Sequence, residues 1–171
     1  MMAFDFKNLD ATTRGHMLQE LDRDERSGVV YESPRLSAHG QSMYAQLLRD
    51  ALASGTPESF ANELSSPGIL NAMEQTVKGA KKVPSNAPSL LAGGEFNRYY
   101  VRGVAARAVD SGQKHVTVYR ARTSGYNRPE SEAQVGAAVS ASELLEHLRA
   151  TTLSPESVEL PDVNSGLSVH L

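Results

Sequence analysis

Four residues on one short segment have types that do acid–base and phosphate chemistry. His115, Tyr119, Arg120 and Arg122 lie within eight positions of one another. A metal-independent ribonuclease can use a histidine as acid or base and an arginine to stabilise phosphorane charge. The alternation over 115–122 predicts a strand, with Val116, Val118, Arg120 and Arg122 on one face. His115, Thr117, Tyr119 and Ala121 then share the other face. The histidine and the arginines would point apart, which is the objection to this reading. A second set is Arg98, Tyr99 and Arg102, where the arginines could meet phosphates and Tyr99 could stack on a base. A third is Glu130 and Glu132, two apart as in some hydrolase pairs. The commoner use of such carboxylates is ion pairing, here with Arg120 and Arg122 across a hairpin-like return from Arg128.

Other chemistries find little material. The chain has no cysteine, so a thiolate zinc site, a disulfide framework and a cysteine nucleophile are excluded. The five histidines are dispersed and match no metal-ligand spacing. Gly93 and Gly94 belong to no phosphate-binding loop, and close helix packing is their expected use. No cofactor is expected.

The 171 residues, 40% hydrophobic and 22% charged, fit one α+β domain. No apolar run approaches the roughly 20 residues that span a bilayer, and no signal-peptide segment opens the chain. No membrane partner is expected, and the expected setting is a cytoplasm or a particle assembled in one. Net charge is −3, distributed as −2 over 1–85, +2 over 86–150 and −3 over 151–171. A local excess of two positive charges is small for a duplex-binding footprint.

Residues 1–7 read as a frayed lead-in. A first helix is expected from Asp10 to Arg26, with Met17, Leu18 and Leu21 inward and Gly28 as its stop. The charged run Glu20, Asp22, Arg23, Asp24, Glu25 and Arg26 reads as its solvated face. Val29–Tyr31 reads as a link or short strand. Ser33-Pro34 reads as the start of a second helix that ends at Gly55. Thr56-Pro57 starts a third, bearing Phe60 and Leu64 and ended by Pro67-Gly68. Ile69, Leu70, Met73 and Val77 suggest a weak helix, and 78–88 reads as a mobile loop.

A long helix is expected from Asn86 to Asp110. At about 100° per residue its core stripe is Leu90, Gly94, Val101, Val104, Ala105 and Ala108, with Asn97 inside it. Arg98 and Arg102 fall together on a separate face. Gln134–Val139 is a candidate second strand. Ser140 and Glu143 form a capping box for a helix with Leu144, Leu145 and Leu148 inward.

Residues 151–171 form the second unit of the expected organisation, an extended C-terminal arm following a domain of residues 1–150. The segment has two prolines, no basic residue and scattered apolar side chains, among them Leu160, Val163, Leu167 and Val169. Such a segment lies across a surface or adds a strand to a sheet edge, in its own chain or a neighbour.

The words GEFNRYYVRG (94–103), VYRAR (118–122), RPESE (128–132) and LLEHLR (144–149) resemble a group of uncharacterised proteins from bacterial and phage genomes. The resemblance implies no activity and favours a phage or prophage setting.

The expected fold is mainly helical α+β, with a small sheet over about 115–139 and the arm. The expected function is a non-enzymatic structural or interaction protein, self-assembling or docking on a larger assembly such as a phage particle. Arg98, Arg102, Arg120, Arg122 and the 128–132 loop would supply polar contacts, and the four apolar residues would anchor the arm. The alternatives are a winged-helix-like nucleic-acid-binding protein and the ribonuclease.

Overall fold

The structure is a computed structural model that describes residues 3–123, 125–154 and 165–171. Among these residues the fold is α+β, with six helices and two small antiparallel sheets.

Helix α1 spans Ala11–Ser27. The Asp10 carboxylate accepts from Thr13 N at 3.0 Å and satisfies a free amide of the first turn. Gly28 closes the helix in the left-handed region, at φ 66°. Helix α2 spans Ala38–Ser54 and is capped by Ser37, whose Oγ accepts from Gly40 N at 2.9 Å. The expected start at Ser33-Pro34 is therefore too early. Leu36 is needed in an extended bridge to Leu70, and Ser37 N donates to Ile69 O at 2.9 Å. Helix α3 spans Pro57–Leu64, with Thr56 and Ser59 satisfying one another's backbone amides.

The weak helix expected after Gly68 does not form, and the expected loop beyond it is half strand. Ile69 and Leu70 pack against the start of α2. Strands β1 (Met73–Thr76) and β2 (Gly79–Lys82) make a hairpin instead. Gly79, at φ 105°, supplies the backbone conformation that closes its turn.

Helix α4 spans Ala87–Asp110 and is the centre of the molecule. Helices α1 and α3 pack along it, as does α6, introduced below. Its side chains from Glu95 to Ala106 are all buried, so no single stripe describes its core. Leu90, expected inward, is 49% exposed, while its neighbour Leu91 packs against the core. Asn97 sits in the core as expected, and its Nδ2 donates to Leu167 O at 2.7 Å.

Strand β3 (His115–Arg120) is central to the second sheet, between β4 (Ala138–Ser140) and β5 (Leu167–His170). Val116 opposes Val139, and Val118 opposes Val169. Strand β4 is shorter and later than the expected second strand, because 129–132 winds into one helical turn, α5 (Pro129–Glu132), and residues 133–136 continue it as a turn. Helix α6 (Ala141–Ala150) follows, capped by Ser140, with Leu144, Leu145 and Leu148 buried.

The lead-in is not frayed over residues 5–7. Asp5 N donates to Ala121 O at 2.7 Å, and the Phe6 ring lies 5.3 Å from Phe96 and 4.5 Å from Tyr100. One aromatic side chain in the core is enough to hold the segment. At the other end, β5 adds a strand to the sheet of its own chain, and Leu167 and Val169 are fully buried. Leu160 and Val163 lie outside the described residues.

Two helical glycines separate packing from propensity. A Cβ on Gly103 would stand 2.6 Å from Met17 Cγ and 3.2 Å from Thr13 O, so α1 crosses α4 at a distance only glycine permits. A Cβ on Gly15 would meet nothing within 4 Å. Gly103→Ala is expected to destabilise by about 1–3 kcal/mol. Gly15→Ala is expected to stabilise by up to about 1 kcal/mol. Urea unfolding of both variants checks the opposite signs.

Candidate functional site

The charged residues of α1 and α4 meet at that helix crossing. Glu20 and Asp24 are one turn apart on α1, and Arg98 and Arg102 one turn apart on α4. Arg102 is fully buried and spans both α1 carboxylates. It donates to Glu20 Oε2 from Nε at 3.0 Å and from Nη2 at 2.7 Å. It donates to Asp24 Oδ2 from Nη1 at 2.6 Å and to Oδ1 from Nη2 at 2.9 Å. Tyr99 OH donates to Asp24 Oδ2 at 2.7 Å, and Thr152 Oγ1 to the same oxygen at 3.2 Å. Arg149 reaches across from α6 to Glu20 Oε1 at 2.5 Å. Arg98 pairs with Glu95 one turn earlier, and its Nη1 donates to Thr152 O at 2.8 Å.

This arrangement corrects the reading of Glu20 and Asp24 as part of a solvated face, since they are only 3% and 2% exposed. It also places Arg98, Tyr99 and Arg102 at 1%, 1% and 0% exposure. None of the three is open to a phosphate, a base or another chain in this fold. Their partners are groups of the same chain.

Three carboxylates (Glu20, Asp24, Glu95) face three arginines (Arg98, Arg102, Arg149), so the cluster is neutral as a whole. Burial pushes the Glu20 carboxyl up, but Arg149 and Arg102 more than offset it and hold it below the ordinary carboxylate value. Glu95 goes the other way: burial raises it, and Arg98 offsets only part of that. Burial likewise raises the phenols of Tyr44 and Tyr99, and Tyr99 stays a neutral donor to Asp24. Each carboxylate has an arginine partner in the same chain, while Glu95 Oε2 and Arg98 Nε have no hydrogen-bond partner among the described residues and Arg149 also lines a surface cavity of about 550 Å³. Its chemistry is that of a lock between helices.

The remaining residues singled out from sequence are dispersed. Arg120 pairs with Glu132 at 2.5 Å, as the ion-pair reading expects, and its Nη1 donates to Ser165 O at 3.0 Å. The Arg122 guanidinium lies 4.9 Å from the centre of the Phe4 ring. Arg128 and Glu130 are exposed at the start of α5. Tyr119 OH donates to Asp5 O at 2.7 Å and accepts from Lys7 N at 3.2 Å. His115 is exposed, four residues earlier on the same strand. At about 3.3 Å per residue the two are about 13 Å apart along the strand, so they do not form one acid–base pair. Among the described residues no group of three acidic or histidine side chains could hold a metal ion. No described helix is long and apolar enough to cross a membrane.

The hairpin 73–82 is the surface feature that the sequence reading missed. Its signal was short: alternation in Met73–Thr76 and a glycine just after a two-residue turn. It is tied to the body at its base. Arg35 donates to Glu74 Oε2 from Nε at 2.6 Å and to Oε1 from Nη2 at 3.2 Å. Those hydrogen bonds hold the Glu74 carboxyl below its ordinary value. Met73, at the base, is 49% exposed and Val77, at the tip, is fully exposed. A small cleft lies elsewhere, between α3 and α4. Phe4, Pro57, Ala61 and Gly93 line it, with Glu58 at its lip and a volume of about 160 Å³.

No family model matches the chain, and no curated protein or solved structure is similar to it.

Breaking a buried ion pair on one side leaves an uncompensated charge, at a cost of about 3–5 kcal/mol. Glu20→Gln is expected to lose about 3 kcal/mol at neutral pH. Because the folded carboxyl sits below its ordinary value of 4.5, its stabilisation is present above that value. It disappears as pH falls through the lower, folded value. Urea unfolding of both proteins should show a gap at pH 7 that closes in acid.

Proposed function

We propose that this protein is a non-enzymatic structural or interaction protein that builds a larger protein assembly from its own copies. Its setting is the cytoplasm, or a particle assembled there. The observation that carries this reading is the hairpin 73–82. It stands on a two-point anchor, exposes an apolar tip and, among the described residues, has no third strand on either edge. Open edges and exposed apolar tips are the features that natural proteins cover when they are not used for contact.

The internal use of the charged groups supports the same reading. Arg98, Tyr99, Arg102, Glu20 and Asp24 are the residues whose types best suit chemistry, and each is engaged inside the molecule. The role first given to the arm passes to the hairpin, because Leu167 and Val169 are occupied by their own sheet. The resemblance of GEFNRYYVRG, VYRAR, RPESE and LLEHLR to bacterial and phage proteins makes a virion component the concrete form of the proposal.

Light scattering on a sizing column tests it. The mass is expected to exceed the 18.4 kDa of one chain and to rise with loading concentration. A single-chain mass from dilute to concentrated solution would count against self-assembly.

A further inference from the structure

The contact itself can be assigned. Resting on the self-assembly reading, we propose that the hairpin tip of one copy seats in the α3–α4 cleft of a second copy, with Val77 in the cleft and Lys78 against Glu58.

The tip is a preformed knob. Thr76 Oγ1 donates to Gly79 O at 2.8 Å and accepts from Lys78 N at 3.2 Å. These bonds hold the turn before any partner arrives, so little ordering is left to do on binding. Val77 is a branched apolar side chain held entirely in water. Met73, Gln75 and Lys82 share the hairpin's outer face, and Gln75 is the one of them nearest the tip. A buried apolar anchor ringed by weaker contacts is the usual energetic pattern of a protein interface.

The cleft is a matching hole. Its walls are the Phe4 ring, Pro57 and Ala61. Gly93 belongs to the lining, and a Cβ there would stand 3.1 Å from Phe4 Cε2 and 3.5 Å from Arg122 Nη1. The space of about 160 Å³ suits one small branched side chain rather than a drug-sized ligand. Glu58 is exposed at the lip and makes no ion pair among the described residues.

Charge selects a second copy as the occupant. Residues 73–82 hold three lysines and one glutamate, a net of +2, on a chain whose total is −3. The hairpin is thus a basic projection from an otherwise acidic molecule. Hairpin and cleft are different surfaces, so the contact is head-to-tail and propagates into a ring or a filament.

The test is the light-scattering mass of the full chain and four variants at one concentration and low salt. The variants are Val77→Asp, Lys78→Glu, Glu58→Lys and the double Lys78→Glu/Glu58→Lys. Val77 and Lys78 are exposed and outside any helix, so their variants should keep the wild-type urea midpoint, whereas Glu58 lies in the first turn of α3 and its reversal to lysine should lower the midpoint slightly without unfolding the chain. Val77→Asp is expected to return the mass to one chain. Each single charge reversal should weaken association about tenfold, and the double exchange should restore it. If wild type assembles and Val77→Asp assembles equally, the assigned contact is wrong while self-assembly stands. The same holds if the double exchange is no better than the single reversals. A single-chain mass for wild type overturns both.

Discussion

Arg102 is a guanidinium removed completely from water at the place where α1 crosses α4. Its desolvation costs several kcal/mol and must be offset by near-ideal partners. Glu20 and Asp24 provide them from one helix, at the spacing of one turn. Those two carboxylates need cations in turn, which brings in Arg149 from α6, and hydroxyl donors, which brings in Tyr99 and Thr152. The demand of one buried charge therefore sets the relative position of three helices and of the chain just after α6. Gly103, next to Arg102, is the steric counterpart, since the pairs can close only if α1 comes near enough.

The same constraint decides where function can reside. The fold commits three arginines, three carboxylates and Tyr99 to an internal neutral cluster, which takes them away from the surface. What the surface offers is shape and apolar area: a hairpin held out on the Arg35–Glu74 pair, and a cleft beside Phe4. The β4–β3–β5 sheet contributes nothing comparable, because Leu167, Ser168 and Val169 are buried on the body.

Much of the fold was legible because local signals carried it. Asp10 and Gly28 bound α1, Thr56-Pro57 opens α3, and Pro88 fits the first turn of α4, each by chemistry confined to a few residues. Alternation over His115–Arg120 marked the central strand, and Ser140 marked the start of α6. The apolar tail declared that it needed a surface. Local signals failed where two were in competition. Ser33 and Ser37 are both plausible caps, and the bridge between Leu36 and Leu70 chose the second. In the hairpin, Ile69 and Leu70 were read with Met73 and Val77 as one helical stripe, although the first pair faces α2 and the second faces water.

The sequence alone determined the class of fold, the helix ends that depend on caps and glycines, and the absence of thiol chemistry. Only tertiary structure decided which charges are inside. Glu20 and Asp24 stand in a run of charged residues, and although they fall on the helical face of Met17 and Leu21, their charge alone reads the same as that of Asp22 or Glu25. Arg102, distant in the chain, distinguishes them by taking two carboxylates on one face of α1 out of water. Helical spacing states which residues share a face. It does not state what that face meets, because burial belongs to the pair of surfaces and not to either one.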